Sequence, residues 1–135
     1  MIVVLDTNVL VAGLLKPFGP SAAALRLVLT GMIQTAHDYR IRTEYREVLS
    51  RPVFGFAPSD VDALLPQIEE DGVWVTPPPV SIPWPDPTDA PFWETAVAAR
   101  AEVLITGNKR HYPKKKEGPR ISSPAEFLAE FKAPR

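Results

Sequence analysis

Five side chains carry oxygen donors where a fold could gather them: Asp6, Glu44, Asp86, Asp89 and Asn108. Carboxylate and carboxamide oxygens are what a hard divalent cation such as Mg²⁺ or Mn²⁺ takes, a few from the protein and the rest from water. Each residue also has an ordinary alternative. Asp6 follows the apolar run Ile2-Val3-Val4-Leu5 and soon meets another, Val9 to Leu15, so its charge needs a partner. That partner is either a metal or the first turn of the following helix, which Asp6 or Asn8 would cap. Asp89 is an equally acceptable cap. Glu44 could pair with Arg40 or Arg42 on a solvated helix face, and Glu47 and Glu94 read as surface carboxylates of that kind. Asn108 after Gly107 suits a turn. Taken singly, none is decisive; the question is whether they arrive at one place.

The elements that must position them read as alternating strands and helices. Ile2 to Leu5 is a short β-branched run, typical of a strand buried on both faces. A helix follows from Thr7 to about Leu15, stopped near Pro17 and Pro20, and a second from Ala22 to Thr30 before Gly31. Met32 to Ala36 is a second strand, closing with His37 and Asp38. Tyr39 to Ser50 is a helix with Ile41, Tyr45, Val48 and Leu49 on one face. Pro58 to about Glu70 is another, and Val73 to Thr76 a third strand. The proline-dense stretch Pro77 to Pro91 is an extended connection holding Asp86 and Asp89. A helix from Ala90 to Ala101, a strand from Val103 to Thr106, a basic loop from Lys109 to Arg120, a strand stub at Ile121 and a helix from Pro124 to Phe131 complete the chain. Ser123 and Glu126 stand at capping-box spacing before that last helix.

Such alternation predicts one α/β domain over residues 1–135: a three-layer α/β/α sandwich around a parallel sheet of four to five strands with right-handed crossovers. In that architecture every strand-to-helix connection opens on the same sheet edge, where open α/β sheets place their sites. Asp6, Asp89 with Asp86, and Asn108 would each reach that rim, and Glu44 could point back over it. The like charges would need a cation to relieve their repulsion.

Composition sets the outer limits. With 135 residues, 45% hydrophobic and 23% charged, the chain can bury a real core. It has no cysteine, which excludes disulfides and thiolate zinc sites, and no apolar run long enough to span a bilayer. The N-terminus lacks a basic signal-peptide region, so a cytoplasmic protein with no membrane partner is expected. A net charge of −1 excludes bulk polycation behaviour but not a local basic face.

The strings Val4-Leu5-Asp6-Thr7-Asn8-Val9-Leu10, Glu44-Tyr45-Arg46-Glu47-Val48-Leu49-Ser50-Arg51-Pro52, Asp86-Pro87-Thr88-Asp89 and Leu104-Ile105-Thr106-Gly107-Asn108 occur in that order. In order and spacing the chain resembles the PIN-domain nucleases, in particular the bacterial VapC-like toxins of toxin–antitoxin pairs, from Ile2 to about Pro113. The resemblance implies a Mg²⁺- or Mn²⁺-dependent endoribonuclease. It implies that Asp6, Glu44 and Asp89 are metal-binding catalytic acids, that Asn8 supports the first of them, and that Asp86 is auxiliary. It also implies RNA as substrate, a cognate antitoxin whose peptide blocks the acidic cleft, and a homodimer. Many relatives carry a fourth acid where this chain has Asn108, whose amide oxygen can bind metal but brings no charge.

The implied reaction is hydrolysis of an RNA phosphodiester, with no histidine needed as base. Lys109, Arg110, His111 and Lys114, with Lys115 and Lys116, would hold the phosphates, and Tyr112 could stack on an unpaired base. His37 reads as a hydrogen-bonded structural residue. Trp74, Trp93, Phe54 and Phe56 read as core or interface, and Trp84 as an exposed ring. The alternative is a catalytically weak RNA-binding protein on the same fold, for which Asn108 is the sign. A phosphotransfer enzyme with an aspartyl nucleophile at Asp6 would want a second Asp at position 8, where the chain has Asn8.

Overall fold

Val3, Val4 and Leu5 are wholly buried in β1 (Ile2–Leu5), which therefore reads as one unbroken apolar run rather than an alternating one. The computed structural model describes residues 1–78, 89–113 and 117–131. After β1 come α1 (Thr7–Leu15), α2 (Pro20–Leu29), β2 (Gln34–His37), α3 (Tyr39–Leu49) and α4 (Pro58–Glu69). Then follow β3 (Val73–Trp74), α5 (Ala90–Ala98), β4 (Val103–Ile105), β5 (Arg120–Ser122) and α6 (Pro124–Glu130).

The strands form one parallel sheet in the order β3-β2-β1-β4-β5. β1 is central. Connections run outward from it through β2 to β3, and the chain then crosses back to β4 and β5. The order reverses between β1 and β4, where Val3, Val4 and Leu5 pair with Val103, Leu104 and Ile105. Helices cover the sheet as a three-layer α/β/α sandwich. α5 packs on β1, β2 and β4, while α2 packs against α1 and α6, and α4 against β2. No helix among the described residues is long and apolar enough to cross a membrane.

Local chemistry explains the boundaries that differ from expectation. α2 begins at Pro20, not Ala22, because proline is pre-organised for the first helical position and has no N–H to leave unsatisfied. β2 starts two residues later than predicted, since Gly31 at φ +78° still belongs to the turn closing α2. α5 stops at Ala98, before the chain turns through Arg100 at φ 54°. The closing helix carries the predicted capping box, Ser123 Oγ accepting from the Glu126 N–H while Glu126 Oε1 accepts from the Ser123 N–H.

His37 ends β2 with no exposure at all. Its Nε2 lies 2.6 Å from Thr35 Oγ1, and its ring meets that of Trp74 at a tilt, with centroids 5.3 Å apart. A Cβ on Gly72 would fall 2.8 Å from His37 Cδ2, so only glycine lets the turn before β3 pass this ring. Burial pushes the imidazole from 6.5 down to about 4, so it is neutral at pH 7. A lowered histidine binds protons more readily in the unfolded chain. Its contribution to stability is complete above pH 6.5 and is lost as pH falls toward 4. The expected loss is about 2 kcal/mol at pH 5, read as a drop in urea midpoint from pH 7.5. In His37→Gln that part of the pH dependence should vanish; an unchanged slope would show that His37 is not its source.

Candidate active site

The acids cluster at the carboxyl end of the sheet, where the strand order reverses. Asp6 follows β1 directly, and its backbone N–H bonds to the Ile105 carbonyl at 2.9 Å, locking it beside the end of β4. It stands at the N-cap position of α1, yet its side chain makes no capping bond. Asp89 repeats the pattern at the start of α5: N-cap position, no capping bond. Asp38, by contrast, does cap, accepting from the Ile41 N–H at 2.9 Å. The capping alternative is therefore removed for the two acids whose roles the sequence left open.

What holds Asp6 instead is a pair of hydroxyls. Thr106 Oγ1 and the Tyr112 phenol both donate to Asp6 Oδ2, each at 2.9 Å. Thr106 Oγ1 also accepts from the Asn108 N–H at 3.0 Å. Glu44 arrives from α3, which is pinned to β1 by the phenol of Tyr45 on the Leu5 carbonyl at 2.5 Å. The Glu44 carboxylate accepts from the Thr7 hydroxyl, not from Arg40 or Arg42. Arg42 pairs with Glu69 instead. Arg40 bridges Asp38 and Glu94, both at 2.8 Å, so Glu94 is no surface carboxylate; it is 4% exposed and needs that partner.

Asp6 (6% exposed), Asp89 (9%) and half-buried Glu44 share one electrostatic neighbourhood. Burial raises the Glu44 carboxyl above its ordinary value, and Asp6, Asp89 and Glu47 raise it further against the lowering bond from Thr7. The Tyr112 hydroxyl is pushed far above its usual range by burial, then by Asp6, and also by Asp89 and Glu44. Among the described residues no Lys or Arg pairs with Asp6 or Glu44, and no three His or acid side chains close around a point as a finished cage. A Mg²⁺-type ion needs no such cage, because it keeps several waters and takes one or two carboxylates. The carboxylates of Asp6 and Glu44, held by neutral hydroxyls, suit that ion better than zinc, whose sites usually include nitrogen or sulfur.

The remaining predicted residues divide. Asn8 lies at the rim, but its Oδ1 accepts from the Gly107 N–H at 2.9 Å, so it braces the loop after β4 rather than Asp6 itself. Asn108 is exposed at the start of a 3₁₀ turn, Lys109–His111, within the stretch expected to be a basic loop. Two surface depressions of about 400 and 490 Å³ meet at Asn8, one lined by Asn108 and Lys16, the other by Glu44 and Arg51. Within the turn, Lys109 is engaged by Glu126 at 2.9 Å, whereas Arg110 is exposed and carries no ion pair among the described residues. His111 Nδ1 lies 3.1 Å from Asp89 Oδ2. Tyr112 is not a stacking platform: it is 5% exposed, with its hydroxyl turned inward. Asp86, Trp84, Lys114, Lys115 and Lys116 lie outside the described residues.

Residue-type reasoning missed the three hydroxyls, Thr7, Thr106 and Tyr112. Two had a visible signal, since Thr7 follows Asp6 directly and Thr106 ends a strand at the same rim. Comparison with known proteins supplies independent observations. A family model described as PIN domain matches residues 2–110. Among solved structures the chain is similar to one described as VapBC2 from Rickettsia felis bound to a DNA fragment from their promoter, at 16% identity and a TM-score of 0.57. That similarity covers 91% of this chain and 98% of the other, and it is a likeness of fold. No curated protein matches the chain.

Proposed function

The chain belongs to the PIN-domain family of nucleases, and from that premise we propose that it is a divalent-metal-dependent endoribonuclease, the toxin component of a toxin–antitoxin pair. The observation that carries this reading is the pair Asp6 and Asp89. Both stand at helix starts without capping them, and both load their field onto Glu44. Acids kept buried at one rim, with Asp6 and Asp89 both repelling Glu44, are a cost that a binding module would have no use for. The antitoxin part rests on the fold likeness to a protein of a VapBC complex. A second copy of the chain and a cytoplasmic setting complete the proposal.

Asp6, Asp89 and Glu44 would hold Mg²⁺ or Mn²⁺, with the Asn108 amide oxygen as a neutral fourth donor. Bound there, the cation would acidify a water and offset the charge that builds on the phosphoryl oxygens. Thr106 and Tyr112 keep the Asp6 carboxylate from turning. Glu44, steadied by Thr7, orients the water for in-line attack on phosphorus as the bond to the 3′ oxygen breaks. Arg110 and His111 hold the flanking phosphates, so cleavage should weaken as salt rises.

Asn108 is the specific observation behind a second reading, a weakly catalytic RNA-binding protein. Incubating matched RNA and DNA panels with Mg²⁺ or Mn²⁺ separates the two. Wild type should cut RNA only with cation present, and Asp6→Asn should leave it intact. RNA that is bound but never cut would favour the second reading, and equal cutting by Asp6→Asn would sink the first.

A further inference from the structure

Tyr112 closes the 3₁₀ turn that carries Lys109, Arg110 and His111, its N–H bonding to the Lys109 carbonyl at 3.2 Å. The same residue sends its hydroxyl onto Oδ2 of Asp6, the oxygen that Thr106 also holds. Two donors on one oxygen restrain rotation of the carboxylate. They also leave Oδ1 as the carboxylate oxygen on which no hydrogen bond falls among the described residues. A lysine in the place of Tyr112 would steady Asp6 too, but its charge would compete with a cation. A buried phenol steadies it without that competition.

We propose that Tyr112 is a positioning residue joining divalent-cation binding at Asp6 to ordering of the basic turn, so that the two are one coupled equilibrium. This rests on the metal-dependent reading of the acids given above. The orientation of Asp6 that serves a cation is the one that accepts the Tyr112 hydroxyl, and Tyr112 in that position closes the turn. Linkage is reciprocal: if an ordered turn favours the cation, the cation must favour the ordered turn by the same factor. The device biases the turn that carries Arg110 and His111 toward its closed form when the cation is bound. Hydrogen-bond partners of ligating groups typically shift metal affinity by about 10–100-fold when removed.

Calorimetric titration with Mn²⁺ of wild type, Asp6→Asn and Tyr112→Phe tests this, together with hydrogen exchange of the His111 and Tyr112 amides with and without Mn²⁺. Wild type should bind, Asp6→Asn should not, and Tyr112→Phe should bind about 10-fold more weakly. Mn²⁺ should slow exchange in the turn of wild type and leave that of Tyr112→Phe unchanged, a difference that a merely structural role would not produce. Wild type without Asp6-dependent binding would overturn the metal reading itself. Equal affinity in Tyr112→Phe, with exchange insensitive to Mn²⁺, would overturn the coupling and leave the metal reading standing. Should Tyr112→Phe fail to fold, exchange in wild type with Asp6→Asn as control decides alone: no slowing by Mn²⁺ refutes the coupling.

Discussion

Asp89→Ala is expected to lower kcat/KM for RNA cleavage by about 10³-fold, equivalent to about 4 kcal/mol of transition-state stabilisation. The expectation depends on Asp89 having no capping role. Its side chain makes no bond to the first turn of α5, and that helix begins with Pro91 near its start, so the helix should survive the substitution. The melting temperature should therefore move little while activity collapses. Asn108→Asp is the matched control in the other direction. It adds a charge beside Thr106, whose hydroxyl accepts from the Asn108 N–H and donates to Asp6, and should leave activity equal or raise it. Full activity in Asp89→Ala would refute the assignment of the acids.

Glu44→Gln should move activity and stability in opposite directions. Burial raises the Glu44 carboxyl, with Asp6 and Asp89 adding to it. A raised carboxyl binds its proton more tightly when folded than when unfolded. Its favourable contribution is thus present at pH below the ordinary carboxylate value and is lost as pH rises through the raised one. At pH 7.5 without divalent cations, glutamine removes the repulsion and should stabilise the fold by about 1 kcal/mol, or about 3 °C. At pH 4 the gain should shrink, because the wild-type carboxyl is then largely protonated. Cleavage should nevertheless fall by about 10²-fold, through loss of the group that orients the attacking water. A scan in EDTA at both pH values checks the sign, and a variant less stable than wild type at pH 7.5 would contradict it.

The sheet, and the acids at its carboxyl end, were legible from residue types, because burial on both faces writes itself as Val3-Val4-Leu5 and Val103-Leu104-Ile105, and because acids at strand ends are conspicuous. The choice between cap and ligand at Asp6 and Asp89 was not legible. It depends on where a side chain turns, and the same residue types serve both ends. Glu94 looked like any helix glutamate; only its pairing with Arg40, 54 positions away, makes it a buried ion. Tyr112 was misplaced for a similar reason. An aromatic among lysines suggests a base platform, but the acceptor that claims its hydroxyl lies 106 residues earlier. Lys109 is likewise claimed by Glu126, whose own position the capping box had already explained.

The bond between Thr106 and Asp6 spans 100 residues, and the strands that these residues directly follow are neighbours in the sheet. During synthesis β1 emerges first and waits for its partner β4 until most of the chain has been made. A ribosome-bound fragment ending before β4 holds Asp6 and Glu44 with nothing to pin the first of them. Such long-range closure is slow compared with local helix formation. Translation itself therefore delays the completion of the acidic rim until β4 and the turn after it have been made.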